Sequence, residues 1–148
     1  MSSTATPSLG PHSAVTLDTL VGYALRRAQL KVFQQLVARL AEFDLRPAQF
    51  TAMVIIDNEP GLMQADLARH LAIEPPQLVP LLNKLETRGL AERVRGQQDK
   101  RAYGVFLSPA GQALLVQLKA LAAESDREAT AALNDAERSQ LLGLLQKI

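Results

Sequence analysis

The stretch from Leu62 to Leu107 leaves few folds open to this chain. It predicts a short helix over Gln64–Leu71 with Leu67, Ala68 and Leu71 turned inward, then a three-residue break at Ala72-Ile73-Glu74. A second helix follows from Pro75 to Arg88, its buried stripe formed by Leu78, Leu81, Leu82 and Leu85. Gly89 stands where a helix end needs a left-handed residue. Two strands come next, Glu92–Val94 and Ala102–Leu107, with Tyr103, Val105 and Leu107 on one face and Phe106 on the other. Two helices joined by a turn of a few residues form the geometry that sends the second helix into a DNA major groove.

That geometry selects candidate contacts. Gln77, Val79, Pro80, Asn83 and Lys84 lie off the buried stripe of the second helix, and Gln64 opens the first. Pro80 removes one internal hydrogen bond and should tilt or tighten the start of its helix. Either it is simply tolerated there, or it sets the angle at which Gln77 and Val79 approach base edges. Between the strands, Arg95-Gly-Gln-Gln-Asp-Lys-Arg101 is a polar loop with three cations, Arg95, Lys100 and Arg101, beside Asp99. Such a tip suits phosphates or a narrow minor groove.

Charge agrees in distribution more than in sum. The chain carries only +1, but Lys84 to Arg101 holds six basic residues (Lys84, Arg88, Arg93, Arg95, Lys100, Arg101) against Glu86, Glu92 and Asp99. A locally basic surface on a near-neutral body fits a compact DNA-binding module, and an ordinary solvated face would give similar counts. With no cysteine, disulfides and thiolate metal sites are excluded. His12 and His70 are the only histidines, so neither a metal cluster nor a catalytic triad is expected. No glycine-rich phosphate loop or nucleophile–base pair is present, and no cofactor or enzymatic role is expected. Neither a signal peptide nor an apolar run near the roughly 20 residues of a membrane span is found, which predicts a soluble cytoplasmic protein with no membrane partner.

The flanks are predicted to be helical. Residues 1–15 read as a flexible tail. Thr16 is a candidate N-cap for one long helix whose apolar positions run from Leu17 to Leu40, about seven turns. Pro47 fits the first turn of a helix carrying Phe50, Met53, Val54 and Ile56, and Asn58-Glu-Pro-Gly61 stops it. Ser108-Pro109 is a cap followed by proline at the first helical position, opening a long Ala/Leu-rich helix. Asn134-Asp-Ala-Glu137 is a capping-box start for a last helix with Leu141, Leu142, Leu144 and Leu145. These ends carry more apolar surface than one core of this size needs, which points to a dimer interface. The predicted fold is therefore mainly α with a small β-hairpin wing. Residues 16–44 and 109–148 form dimerisation helices around a winged helix-turn-helix lobe at 45–108.

The segment Leu62–Gly111 closely resembles the MarR family of bacterial transcription regulators. The resemblance rests on Gln64-Ala-Asp-Leu-Ala, on Leu85-Glu-Thr-Arg-Gly-Leu-Ala-Glu-Arg93, on Asp99-Lys-Arg-Ala, and on Leu107-Ser-Pro-Ala-Gly111, in that order. The helices before and after extend it to about Thr16–Ile148. It implies an obligate homodimer whose two recognition helices and wings meet a pseudo-palindromic double-stranded operator, generally as a repressor. It carries Gln77, Val79 and Pro80 onto the exposed start of the recognition helix. Arg101 becomes the wing arginine entering the minor groove, Asp99 the acid orienting it, and Lys100 and Arg95 phosphate contacts. Two departures stand out. Many relatives carry Ser, Thr or Arg where Val79 and Pro80 stand, and Met63 occupies a place where Ser or Thr often caps.

The resemblance also implies relief of DNA binding by a small organic effector, often aromatic, held between the lobe and the dimerisation helices. Without cysteine or a metal-ligand cluster, thiol-oxidation and metal sensing are set aside. The helices that would line such a pocket carry Tyr23, Arg26, Arg27, Lys31, Phe33, Phe43, Phe50 and Met53. For most of these an ordinary core or solvated role is the competing reading. Arg26, Arg27 or Lys31 could neutralise an aromatic carboxylate or an acyl-CoA. A different class of function also stays open, a winged-helix interaction or dimerisation module that never touches DNA. Exposed Arg95, Lys100 and Arg101 on the wing argue against it.

Overall fold

The computed structural model of the protein describes residues 15–96 and 102–148. The expected helix from Thr16 does not run unbroken. The Thr16 carbonyl accepts both the Thr19 backbone N–H at 3.0 Å and the Thr19 hydroxyl at 2.8 Å, which closes a single 3-10 turn over Leu17–Thr19. Leu20 is extended (φ −95°, ψ 119°), and α1 begins only at Val21 and runs to Ala41. A local side-chain bond has outcompeted the helix here, and no packing opposes it, because Leu17, Leu20 and Val21 are all exposed.

The next elements follow their local signals. Helix α2 spans Pro47–Asn58 with proline at its first position, and the Gln49 side chain accepts the Arg46 N–H at 2.9 Å. Strand β1 (Leu62–Met63) leads into α3 (Gln64–Leu71), which has no side-chain cap at Met63. Ala72 takes a left-handed conformation (φ 54°), and the Ile73 N–H returns to the Ala68 carbonyl at 3.1 Å. Helix α4 runs Pro75–Thr87, continuous through Pro80. Gly89 has φ +68°, so the chain turns sharply out of α4 as glycine there requires.

Strands β2 (Ala91–Arg95) and β3 (Tyr103–Leu107) pair antiparallel, with Ala91 opposite Leu107 and Arg95 opposite Tyr103. Strand β1 joins the other edge of β3, Leu62 opposite Val105, giving the order β1-β3-β2. This third strand was not anticipated, because two residues carry no alternation to read.

Helix α5 (Pro109–Ala129) starts at Ser108, whose hydroxyl accepts the Gly111 N–H at 3.0 Å and donates to the Gly89 carbonyl at 2.5 Å. One side chain thus caps α5 and ties it to the end of α4. Helix α6 (Asp135–Leu145) opens with the reciprocal Asn134–Glu137 bonds expected of a capping box, at 2.8 and 3.0 Å. The core gathers Leu67, Ala68, Leu78, Leu82 and Leu85 from α3 and α4, Ala52, Met53 and Ile56 from α2, and Leu62 and Val105 from the sheet. Leu40, Leu115 and Leu118 of α1 and α5 join it, with Leu45, Leu90, Ala91 and Leu107. The outer faces of α1 and α6 stay open: Leu30 is 61% exposed, and Leu142 and Leu144 are 59% and 51% exposed.

Candidate nucleic-acid interface

The helix-turn-helix is built as amphipathic spacing dictates. Leu78, Leu82 and Leu85 of α4 are fully buried or nearly so, and the opposite face carries exposed Gln77, Val79, Pro80 and Asn83. Gln77 has a task within its own helix, since its side-chain oxygen accepts the Glu74 N–H at 3.0 Å and leaves its amide nitrogen for other partners. Val79 is 43% exposed and offers only apolar contact. Lys84 is half-buried, its Nζ 3.6 Å from Asp44 Oδ1, so it sits on the side of α4 facing the α1–α2 corner.

The basic cluster divides by its hydrogen bonds. Arg88 donates to the Asp44 and Phe43 carbonyls at 2.8 and 2.6 Å, clamping the end of α4 to that same corner. Arg93 on β2 forms a two-pronged pair with Glu86 on α4, Nε to Oε1 at 2.5 Å and Nη2 to Oε2 at 2.8 Å. Its Nη2 also donates to Asn83 Oδ1 at 2.7 Å. Hydrogen bonds from Arg93 hold the Glu86 carboxyl below its ordinary range, against the opposing effect of partial burial. Two of the six cations counted in the sequence are therefore structural.

Arg95 remains exposed at the end of β2, steadied by its cross-strand partner: Nη2 donates to the Tyr103 hydroxyl at 2.9 Å, and the guanidinium lies 5.5 Å from the ring centroid. Gln64 is half-buried and, with Glu86, Arg93 and Tyr103, lines a polar hollow between α3, α4 and the sheet. The wing-tip candidates Asp99, Lys100 and Arg101 lie outside the described residues, as does the expected tail up to Ala14.

The effector candidates do not converge on one cavity. Met53 is fully buried in the core, and Phe43 and Phe50 pack against it half-buried. Arg27 lies 5.9 Å from the Tyr23 ring on the outer surface of α1, where Arg26 and Lys31 are also exposed. Of these candidates, Phe33 lines open space. It contributes to a groove of about 280 Å³ between α1 and α6, with Leu25, Val32, Leu141, Leu142 and Leu145. It also borders a smaller cavity of about 270 Å³ over buried Ser125 on α5. Among the described residues no group of three or more His, Asp or Glu could hold a metal ion, and no helix is long and apolar enough to cross a membrane.

Arg88 and Arg93 are the functional-site residues whose roles sequence reasoning missed. The signal for Arg93 was available in part: an acid in the last turn of α4 and a base just beyond the Gly89 turn, at positions that a helix-to-strand reversal brings together.

Comparison with known proteins places this architecture. A model of the MarR family matches residues 43–102. The chain is 31% identical, over 86% of its length and 78% of the relative's, to a putative transcriptional regulatory protein for the hcr operon of Thauera aromatica. The transcriptional repressor CouR bound to a 23-mer DNA duplex superposes with a TM-score of 0.83 at 38% identity, covering 88% of this chain and 93% of that one. CouR bound to p-coumaroyl-CoA superposes with a TM-score of 0.78 at 37% identity, covering 88% and 91%. Bordetella bronchiseptica BpsR, whose DNA binding is regulated by 6-hydroxynicotinic acid, gives 0.82 at 25% identity, covering 90% and 95%.

Proposed function

The chain belongs to the MarR family of DNA-binding transcription regulators, and from that premise we propose that it is a homodimeric repressor released from a pseudo-palindromic operator by a small aromatic acid or its coenzyme A thioester. The observation that carries this reading is the two-sidedness of α4, with its leucines sealed into the core and Gln77, Val79, Pro80 and Asn83 turned out. A helix held this way over a short turn has one free face of the width a major groove admits.

Each part of the site has a role in this reading. Gln77 and Asn83 supply polar contacts, and Val79 suits a thymine methyl. With Val79 and Pro80 offering no side-chain hydrogen bond, more of the discrimination falls to DNA shape. Arg95 and Lys100 contact phosphates, and Arg101, oriented by Asp99, enters the minor groove. Residues 45–108 form the DNA-binding lobe, and residues 16–44 and 109–148 the dimerisation helices. The open apolar faces of α1 and α6 support the second assignment, since surface of this kind is costly to leave in water. Support for the effector class comes from the ligands of CouR and BpsR, and Arg26, Arg27 and Lys31 are available on α1 to neutralise a carboxylate or a phosphate.

Fluorescence anisotropy of the purified protein on the DNA flanking its own gene, at two salt concentrations and against a scrambled duplex, tests this. Tight, salt-sensitive binding that prefers the native duplex is expected, with half-sites roughly 10 bp apart. Aromatic acids and their thioesters should then release the DNA, and removing the charges of Arg26, Arg27 and Lys31 should blunt that release. No binding to either duplex would favour a winged-helix interaction module instead.

A further inference from the structure

We propose that Arg93 is a positioning residue that fixes the orientation of the Asn83 amide, so that its nitrogen donates toward DNA. This rests on the DNA-binding reading above and adds a rule about what the α4 face recognises. The Arg93 guanidinium is held by Glu86 through two bonds, at 2.5 and 2.8 Å, and its Nη2 meets the Asn83 side chain at 2.7 Å. Guanidinium has donors and no acceptor, so the Asn83 atom facing it must be the oxygen, and the amide nitrogen points the other way.

The consequence is chemical. A free asparagine reads adenine with both ends, accepting from N6 and donating to N7. With one lone pair of its oxygen taken by Arg93, Asn83 on the exposed face of α4 is held against flipping, and its amide nitrogen is the end turned away from Arg93. That nitrogen therefore contacts a hydrogen-bond acceptor on the DNA, either a base-edge acceptor such as purine N7 or a phosphate oxygen. Glu86 matters because it stops the guanidinium from turning away. The chain Glu86–Arg93–Asn83 links α4 to the first strand of the wing, so the orientation of Asn83 depends on the wing being in place.

The test uses the full-length protein and its operator, with acceptors removed one at a time by 7-deazapurine or methylphosphonate substitution. Wild type, Asn83→Ala, Asn83→Asp, Arg93→Lys and the Arg93→Lys/Asn83→Ala double variant are compared by anisotropy, with thermal melting as a folding control. Lysine keeps an ion pair with Glu86 but lacks the planar fork needed to hold Asn83 as well. Wild type should lose about fivefold in affinity at one acceptor, the order expected for a single hydrogen bond. Asn83→Ala and Arg93→Lys should both lose that sensitivity, and the double variant should be no worse than either by more than about twofold. Asn83→Asp keeps the partner of Arg93 but has no donor, and it should lose the contact while melting like wild type. The analogue that registers the loss identifies the acceptor as base or phosphate.

An Arg93→Lys protein with wild-type sensitivity at every acceptor, or losses that multiply in the double variant, would overturn the assignment while leaving the DNA-binding reading intact. Wild type that binds neither operator nor scrambled duplex would overturn both.

Discussion

At Gly111 the first turn of α5 runs so close to the chain leaving α4 that a Cβ would stand 2.0 Å from the Leu90 carbonyl oxygen. The neighbouring atoms are backbone and have no rotamer to retreat into. Gly111→Ala is therefore expected to destabilise the fold by about 1–3 kcal/mol, as overpacking does, measured by urea denaturation, and a midpoint within error of wild type would refute the packing argument. Glu86 makes a second prediction at this scale. Hydrogen bonds from Arg93, opposed by partial burial and aided by its charge, depress the folded-state pKa of Glu86. A depressed carboxylate contributes stability above its unfolded pKa, about 4.3, and that contribution disappears as pH falls through the lower folded-state value. Glu86→Gln should melt below wild type at pH 7, with the gap closing as pH falls below about 4.3. An unchanged gap across that range would show that the pair contributes nothing through ionisation.

Among the elements, α4 is the one built against its own propensity. Pro80 lies in its second turn, past the positions where a missing N–H is harmless, yet the helix continues to Thr87. Buried Leu78, Leu82 and Leu85 supply the tertiary packing that overrides the local penalty. Pro80→Ala should restore a donor toward the Pro76 carbonyl and raise stability by about 1–3 kcal/mol. If Pro80 also sets the approach of Gln77 and Val79, operator affinity should fall while the melting temperature rises. A stabilised variant with unchanged affinity would mean that the proline is merely tolerated. The start of α1 shows the reverse balance: apolar periodicity continues back to Leu17, but with nothing packed against it the chain settles for one 3-10 turn.

For the molecule as a whole, the two terminal regions leave apolar faces that no element among the described residues of the protomer covers. Arg138 anchors the start of α6 to the end of α5, donating to the Thr130 hydroxyl at 2.9 Å and the Leu133 carbonyl at 3.1 Å, while the leucines beyond it stay open. If these faces meet a second copy, Leu142→Glu with Leu144→Glu should shift the protein from dimer to monomer in sedimentation velocity. Operator binding should weaken by more than tenfold, because each half-site contact then stands alone. Secondary structure by circular dichroism should hold, since neither residue belongs to the core. A double variant that stays dimeric would place the interface elsewhere.

What the sequence determined by itself was set by neighbours a few positions apart: the caps at Ser108 and Asn134, the left-handed Gly89, the leucine spacing of α4 and the alternation of β3. Backbone sterics and side chains one turn away decide such features, so they are visible along the chain. From them the order of the main helices and the two wing strands, and the exposed face of the second helix, could be read. What only the tertiary structure decided depends on partners that the chain does not place side by side. Strand β1 exists because β3 offers it an edge. Arg88 leaves the basic cluster because the carbonyls of Phe43 and Asp44, 45 and 44 residues away, need donors. Arg93 turns from a counted charge into a clamp because a reversal at Gly89 folds β2 back over the end of α4. A charge count sees six equivalent cations, and only the folded surroundings distinguish those already satisfied within the protein from those, such as Arg95, left facing solvent.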